Sequence, residues 1–392
     1  MKAPLITVQA ALAAMLLAPV AVGQVKFTTL YSFTGGFPTG MALIQGNLYG
    51  VAALGSCGNV FELQPPTADG EPWTPSTLYT FTGSPGGIGD ACDPEGPLIL
   101  GANGALYGIA ESGGANAYGA MYGLQPPVSP GAPWTEIVAY SFNDYQLASG
   151  PPASLLVDGP GGSFYVLCDY QNGSLLQLLP PAAGLAWTGA LLFDVGGAAD
   201  SLIAGPHGEL YGASAFGGEG AGNVFQLLPP DAPGGDWTEI VLHSFEPGGA
   251  SDPVTPTLAR DGTIYGVTYG TVAGWYSGKS LAYSLTPPTA PGQEWTYMAL
   301  RPFLAGQANS QLALHKGNLY GTLSTIEGGA VFEMQPPAAP GGDWTTVYLH
   351  QFTNGQVPTQ LIVDEKGTIF GIAGTMDPLL PTAGTIFEIE TP

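Results

Sequence analysis

The stretch GNLYGVAALGSCGNVFELQPPTADGEPWTPSTLYTF, residues 46–81, decides the fold of this chain. It opens on a Tyr-Gly element, passes through a glycine-rich segment to an apolar run and a Pro-Pro pair, and ends with Trp-Thr and a second apolar run. Similar phrases recur along the whole chain. A repeat at this interval, 46–58 residues, is typical of propeller blades. The aromatic residue of the Tyr-Gly element falls at Tyr49, Tyr107, Tyr165, Tyr211, Tyr265, Tyr320 and Phe370.

Each copy contains four short apolar runs separated by Gly, Pro, Asn and Asp, the pattern of four strands and their turns. Neighbouring side chains of a strand point to opposite faces of the sheet. Leu48 and Tyr49 therefore face opposite ways, and both are apolar. Each small sheet must then be covered on both faces, which radially stacked blades achieve.

The two ends of the chain complete each other. Residues 25–33 match the fourth strand of a repeat, whereas the last repeat, from residue 361 onwards, has three strands and no fourth. Pairing the first strand with the last sheet would remove exposed edges. The sequence therefore predicts an all-β, seven-bladed β-propeller with four-stranded blades, closed by the N-terminal strand joining the C-terminal blade. An open solenoid with capped ends is the alternative.

Residues 1–23 have the pattern of a secretory signal peptide. Lys2 supplies the charge, residues 5–20 an apolar core, and residues 21–23 a small-x-small cleavage site. A membrane anchor is the alternative, which the short core and Pro19 disfavour. We expect one propeller domain over residues 24–392, a monomer, secreted to the extracellular or periplasmic space and without membrane insertion.

The chain is strongly acidic, with 30 Asp and Glu against 7 Lys and Arg and a formal charge of −23. Such a charge is repelled by phosphate backbones, so we expect no nucleic-acid partner. Cations, neutral glycans and basic proteins remain as ligands. Because only 9% of residues are charged, apolar packing must hold the blades together.

The three cysteines are informative if the chain is exported to an oxidising compartment. Cys57 lies between the second and third strands of one repeat, and Cys92 lies in the loop to the next. Both connections emerge on the same face of a propeller, so a Cys57–Cys92 disulfide is expected. Cys168 lies in an apolar run and is expected to be a buried thiol.

One face of a propeller carries the loops between second and third strands and those between blades, and we call it the upper face. Its densest acidic cluster is Asp90, Asp93 and Glu95, in what we expect to be a long loop. Two carboxyl groups at suitable distance could hydrolyse a glycosidic bond. A solvated acidic loop or a weak Ca²⁺ site is the favoured alternative. The other carboxylates expected on this face are Glu111, Asp144, Asp169, Asp194, Asp200, Glu219, Glu246, Asp252 and Asp377.

Two classes of aromatic residue are expected to behave differently. Trp275 and Tyr276, in the long loop 270–280, could stack on a ligand or plug the channel, and Tyr118, Tyr145 and Phe216 share the upper face. The six periodic tryptophans are expected to pack between blades instead. They are Trp73, Trp134, Trp187, Trp237, Trp295 and Trp344.

The four histidines do not favour catalysis. His207 and His315 fall at turns between first and second strands, and His243 and His350 fall in fourth strands. None is expected near another or at the upper channel mouth. A Ser-His-Asp relay and a His-rich metal site are therefore disfavoured. Basic residues are nearly missing from the upper face, where Lys279 is the main candidate.

The phrases at 30–33, 46–50, 223–225 and 336–345 resemble the bacterial GloVer tandem repeat of choice-of-anchor surface proteins. This resemblance spans nearly everything after the signal sequence. It implies a surface or secreted repeat protein, and it implies no catalytic residue, because the family is defined as a repeat.

These observations favour a secreted module that binds a glycan or a protein, with Asp90, Asp93, Glu95, Trp275 and Tyr276 as candidate binding residues. The alternative is a carbohydrate-active hydrolase or lyase that uses carboxylates of the upper face. We expect no organic cofactor, and Ca²⁺ is the one ion that the acidic loops could hold.

Overall fold

The structure is a computed structural model. It describes residues 25–391 except 69, 130, 144–151, 169–173, 183–185, 195–198, 216, 218–219, 233, 247–248, 271–279, 291, 304–305, 326–327, 340, 354 and 376–383, and it does not describe the side chains of 152–154, 194, 199 and 200. The expected signal sequence lies outside these residues.

The regular secondary structure of the described residues consists of strands and one 3₁₀ turn at Pro160–Gly162. The strands are β1 Lys26–Ser32, β2 Phe37–Ile44, β3 Asn47–Ala53, β4 Asn59–Gln64, β5 Thr74–Thr80, β6 Gly89–Leu100, β7 Leu106–Gly114, β8 Ala120–Gln125, β9 Thr135–Ser141, β10 Pro152–Asp158, β11 Phe164–Cys168, β12 Ser174–Leu179, β13 Thr188–Asp194, β14 Ala199–Ala204, β15 Leu210–Ser214, β16 Asn223–Leu228, β17 Thr238–Ser244, β18 Thr257–Leu258, β19 Ile264–Thr268, β20 Leu281–Thr286, β21 Thr296–Pro302, β22 Gln307–Ala308, β23 Ala313–His315, β24 Asn318–Thr325, β25 Gly328–Gln335, β26 Thr345–Gln351, β27 Gln356–Val363, β28 Ile369–Thr375 and β29 Thr385–Glu390.

Within the described residues these strands form seven antiparallel sheets, and the predicted seven-bladed β-propeller is confirmed. Blades 1 to 5 are β2–β5, β6–β9, β10–β13, β14–β17 and β18–β21. In blade 6 the first strand is split, so that β22 and β23 both pair with β24. Blade 7 consists of β27, β28 and β29, completed by β1.

Closure of the ring joins the two ends of the chain, as predicted. Strand β1 runs antiparallel to β29, with Phe27 opposite Ile389. Lys26 Nζ lies 2.6 Å from Glu390 Oε1 at the exposed edge of this pair. The Phe27 ring stacks on His350 of blade 6 at a centroid distance of 3.7 Å. The N-terminal strand is thus both paired and covered.

Packing inside the blades explains the Tyr-Gly element. In six of the seven blades the glycine of the second strand faces the aromatic ring of the third strand, as Gly50 faces Phe61 and Gly371 faces Phe387. In blade 3, Val166 lies opposite Leu176 instead. A Cβ at either glycine would stand less than 3.0 Å from that ring. A larger residue would therefore displace a fully or almost fully buried aromatic side chain.

Five of the six periodic tryptophans, all but Trp134, pack on the aromatic residue of the second strand of the preceding blade, so the prediction of a structural role is supported. Trp237 meets Tyr165 at a centroid distance of 5.8 Å, and Trp344 meets Tyr265 at 6.0 Å. Edge-to-face pairs of this kind stabilise beyond the area they bury. At these five joints the contact links a blade to the one before it.

The first strands of neighbouring blades are joined by hydrogen bonds from side chain to backbone. Thr39 Oγ1 donates to Pro94 O at 2.8 Å, and Gln360 both donates to Met41 O at 3.0 Å and accepts from Met41 N at 2.9 Å. Equivalent bonds run from Asn309 to Pro358 and from Gln311 to Pro256. The first strands therefore lie side by side around the axis. Among the described residues, no helix has the length and apolarity that a membrane span needs.

Candidate functional site

The predicted acidic residues Asp90, Asp93 and Glu95 lie in strand β6, so their assignment to a loop was wrong. Gly89, Pro94 and Gly96 suggested a loop, but β6 extends to the upper face by pairing with β7. The pairs are Gly89 with Gly114 and Cys92 with Ser112. The acidic residues are therefore held on the innermost strand of a blade.

A disulfide fixes the start of this strand. Cys57 of blade 1 is bonded to Cys92 of blade 2, and the predicted pairing is confirmed. The backbone N–H of Asp93 donates to Cys57 O at 3.1 Å. A Cβ at Gly58 would stand 2.6 Å from the Pro94 ring, so the two blades are in close contact here. Cys168 is buried and lies outside this disulfide, as expected.

Asp93 adopts the left-handed backbone conformation, with φ 58°. Asp tolerates this conformation better than most residues. The turn of the backbone brings its carboxylate to the second strand, where Ser112 Oγ donates to Asp93 Oδ2 at 2.8 Å. Asp93 is therefore positioned by the disulfide on one side and by Ser112 on the other.

Asp93, Glu95 and Glu111 form what we call the carboxylate cluster. Burial raises the pKa of Glu95 to about 7, and the charges of Glu111 and Asp93 add to the rise. The pKa of Glu111 is raised by its own burial and then by the charge of Asp93. Near neutral pH the Glu95 carboxyl is therefore expected to exchange a proton.

The carboxylate cluster lacks a cationic neighbour in the described part of the chain. The ion pair found there is Lys26–Glu390, at the closure of the ring. Asp93 has its hydrogen bond from Ser112, while burial and mutual repulsion act on Glu95 and Glu111. A group that donates hydrogen bonds or carries positive charge would be stabilised at this position.

Asp90 does not belong to the carboxylate cluster. Its Oδ2 accepts hydrogen bonds from Thr82 N at 2.7 Å, from Thr82 Oγ1 at 2.9 Å and from Tyr79 OH at 3.3 Å. Its charge and, above all, burial raise the pKa of Glu136 to about 7. Asp90 therefore stabilises the connection between blades 1 and 2, and its predicted role in binding gains no support.

Several predicted site residues cannot be placed. Trp275 and Tyr276 lie outside the described residues, so their role stays a prediction. The same holds for Lys279, Tyr145, Phe216 and four of the acids, Asp144, Asp169, Glu219 and Asp377, while the side chains of Asp194 and Asp200 are not described. Glu246, Asp252 and Tyr118 are described, and Tyr118 is exposed.

The histidines lie where the sequence predicted. His243 is in β17 and stacks on Tyr297 at a centroid distance of 4.0 Å, and His350 is in β26 against Phe27. Burial lowers the pKa of both. His207 and His315 lie at turns between first and second strands. Packing therefore accounts for the two histidines of the fourth strands.

In the described part of the chain, no three His, Cys, Asp or Glu side chains are grouped as a metal site requires. The three acids of the carboxylate cluster do not form such a group either. Ca²⁺ binding stays a prediction.

Two features were missed by reasoning from the sequence. Glu111 was among the acids expected on the upper face, but the electrostatic effect of Glu111 on Glu95 depends on the register of β6 and β7, which is irregular between Glu95 and Ile99. The second feature is a cavity on the lower face, lined by turns of three blades. The sequence feature that could have indicated this cavity is the presence of basic residues at equivalent turn positions.

No known family profile matches the chain, and comparison with curated proteins finds no match either. Solved structures do resemble it. A polysaccharide lyase, Uly1, is 11% identical with a TM-score of 0.54, over 91% of this chain and 90% of that one. A puromycin-hydrolyzing peptidase of Mycobacterium tuberculosis is 13% identical with a TM-score of 0.50, over 88% and 50%. A glucose dehydrogenase is 11% identical with a TM-score of 0.47, over 94% and 100%. At these identities the likeness concerns the fold alone.

Proposed function

We propose that this chain is a secreted binding propeller of the GloVer repeat type that takes a glycan or a protein segment on its upper face. The observation that carries the proposal is the carboxylate cluster. Three acids lie together on the two inner strands of blade 2 with no described cation to neutralise them.

The chemistry of the carboxylate cluster favours a ligand rich in hydrogen-bond donors. Ionised carboxylates accept hydrogen bonds that are stronger than those between neutral groups. Sugar hydroxyls and the side chains of Lys or Arg both supply such donors. Ligand donors would also relieve the repulsion that raises the pKa of Glu95 and Glu111.

Two further observations agree with export. The Cys57–Cys92 disulfide suits an oxidising compartment. Residues 1–23 have the pattern of a signal peptide, and the resemblance to GloVer repeats implies a surface or secreted protein. The formal charge of −23 argues against nucleic acid as the partner.

A binding screen tests this proposal. The purified chain would be applied to an array of neutral polysaccharides and to an array of basic peptides, and the affinity of any hit would be measured. Glu95→Gln and Glu111→Gln are each expected to weaken binding about tenfold, the effect of losing one charge-assisted hydrogen bond. Glu71→Gln is the matched control, because Glu71 is exposed in the loop between β4 and β5, away from the strands that carry the cluster.

One result of the screen would contradict the proposal. Binding that is unchanged in Glu95→Gln and Glu111→Gln, or weakened equally in Glu71→Gln, would place the ligand elsewhere. A hit confined to the glycan array or to the peptide array would decide between the two kinds of ligand.

A second candidate function is that of a carbohydrate-active hydrolase or lyase, and the raised pKa of Glu95 favours it. A carboxyl group with a pKa of about 7 can donate a proton to a leaving oxygen at neutral pH, while an ionised neighbour acts as base or nucleophile. Incubation with the polysaccharides that bind, followed by an assay for new reducing ends, tests it. If the native chain releases reducing ends and Glu95→Gln does not, the function is catalysis and not binding alone.

A further inference from the structure

Two adjoining cavities open on the lower face of the propeller. The larger, about 800 Å³, is lined by the turns between first and second strands of blades 5, 6 and 7. The smaller, about 680 Å³, is lined by the same turns of blades 4 and 5. Arg260 and Asp261 line both cavities, which therefore form one recess, and we call it the lower recess.

The lower recess brings together several of the few cations of an acidic chain, beside the acids Glu209, Asp261, Asp364 and Glu365. The whole chain has 7 Lys and Arg residues. Arg260 and Lys316 line the larger cavity, and Lys366 lies in the third turn, next to the lining residue Glu365. These three cations occupy equivalent turns of three successive blades.

The cations of the lower recess are available to a ligand. Within the described residues, the salt bridge found is Lys26–Glu390, so no carboxylate oxygen lies within 4.0 Å of the nitrogens of Arg260 or Lys316. Two of the nearby acids, Asp364 and Asp261, accept hydrogen bonds within their own turns. Asp364 Oδ1 accepts from Lys366 N at 2.9 Å and from Thr368 N at 2.8 Å. Asp261 Oδ1 accepts from Thr263 N at 3.0 Å.

His315 adds an unsatisfied polar atom to the same wall. Its Nε2 is buried and has no hydrogen-bond partner, and the residue lines the larger cavity. A Cβ at Gly367 would stand 3.2 Å from this nitrogen, so the ring lies against the turn of blade 7. Buried polar atoms without partners are uncommon in folded proteins, and a bound ligand is one explanation for them.

We propose that the lower recess binds an anionic sugar. Arg260 and Lys316 would hold its carboxylate or phosphate group, and the remaining carboxylate oxygens of Asp261, Asp364 and Glu365 would accept hydrogen bonds from its hydroxyls. A simple anion would meet repulsion from these acids, and a neutral sugar would leave the two cations unused. Each of the two cavities of the recess, at about 800 and 680 Å³, has a volume in the range of small-molecule sites. This site is separate from the carboxylate cluster and does not depend on it.

Titration calorimetry on the full chain tests this proposal with four probes. They are a galacturonic acid trisaccharide, its methyl ester, glucose 6-phosphate and inorganic phosphate. At least one of the two anionic sugars is expected to bind, and which one does so identifies the anionic group. The methyl ester and inorganic phosphate are expected to bind at least about tenfold more weakly. The methyl ester lacks the negative charge, and inorganic phosphate lacks the sugar hydroxyls.

Variants locate the site. Arg260→Gln and Lys316→Gln are each expected to weaken binding of the anionic sugar about tenfold, whereas Lys316→Arg, which keeps the charge, retains most of it. Arg301→Gln is the matched control, because Arg301 is an exposed residue of β21 outside the recess. Glu95→Gln is expected to leave this affinity unchanged. Melting temperatures would confirm that each variant is folded.

Four results would overturn the proposal. They are absence of binding by both anionic sugars, equal binding of the methyl ester, equal binding of inorganic phosphate, and a loss in Arg301→Gln that matches the loss in Arg260→Gln.

Discussion

The indole of Trp73 in blade 1 packs edge-to-face on the ring of Phe370 in blade 7, with ring centroids 5.7 Å apart. The same contact recurs between Trp295 and Tyr211 at 6.3 Å. The joint between the two ends of the chain is therefore built like the joints between consecutive blades. The strand β1 completes blade 7, and Trp73 then connects that blade to blade 1.

Replacing Trp73 by Ala is expected to destabilise the ring. Removal of a packed aromatic side chain costs about 3 kcal/mol or more in a core, and about 2 kcal/mol is expected here because Trp73 is half-buried. Urea unfolding followed by circular dichroism measures the change. Trp73→Phe, which keeps an aromatic ring, is expected to lose less. A loss in Trp73→Ala below about 0.5 kcal/mol would mean that this contact does not hold the joint.

Replacing Tyr122 by Phe is expected to stabilise the chain. The Tyr122 hydroxyl is buried without a hydrogen-bond partner, and burial raises its pKa far above the ordinary value. Phe61 and Phe225 occupy the equivalent position in other blades. Removing the hydroxyl is expected to raise the free energy of unfolding by about 1 kcal/mol. Tyr283→Phe should also raise the free energy of unfolding. A lower free energy of unfolding in both variants would show that the two hydroxyls have hydrogen-bond partners.

The architecture could be predicted because the Tyr-Gly element marks six of the seven blades and Tyr165 marks the other. The glycine of the element is required by the facing aromatic ring, as Gly50 is by Phe61, so another residue at this position would disturb the packing. Closure could be predicted because the start of the chain supplies the fourth strand of a repeat, β1, and the end supplies the first three, β27, β28 and β29. The Cys57–Cys92 pair followed from the same topology, since both residues were placed on the upper face.

The candidate site could be predicted only in part. Pro94 and Gly96 are residue types that favour loops, but the pairing of β6 with β7 keeps them in a strand. The electrostatic effect of Glu111 on Glu95 depends on a register shift between β6 and β7 that the sequence pattern does not indicate. Arg260 and Lys316 are more than fifty positions apart, and their shared cavity appears only when the turns of blades 5 and 6 meet.

Loss of the disulfide is expected to weaken the contact between blades 1 and 2. The bond closes a loop of 35 residues, and removal of such a cross-link costs about 3 kcal/mol. Cys57→Ser with Cys92→Ser is the variant, and Cys168→Ser is the control. Thiol counting by mass spectrometry should find one thiol without reductant and three with it. Three thiols in the untreated protein would exclude the bond.

Stability is expected to fall as pH rises through the titration of Glu95. Its pKa is raised from 4.5 to about 7 in the folded chain, so between these values the folded state keeps a proton that the unfolded state has lost. The free energy of unfolding should therefore decline across this window and level off above it. Glu136, whose pKa is also about 7, contributes in the same direction.

Urea unfolding between pH 4 and pH 9 would measure this decline. Glu95→Gln should reduce it, because the neutral amide has no proton to lose, and Glu71→Gln should leave it unchanged. A decline of equal size in the native chain and in Glu95→Gln would contradict the assignment to Glu95.

The most direct test of the account is a titration of the Glu95 carboxyl carbon by NMR, before and after addition of a glycan or basic peptide that binds. We expect a midpoint near pH 7 in the free chain and a lower midpoint in the complex, because ligand donors stabilise the carboxylate. A midpoint near 4.5 in the free chain, or one that the bound ligand leaves unchanged, would contradict the claim that the carboxylate cluster is the binding site.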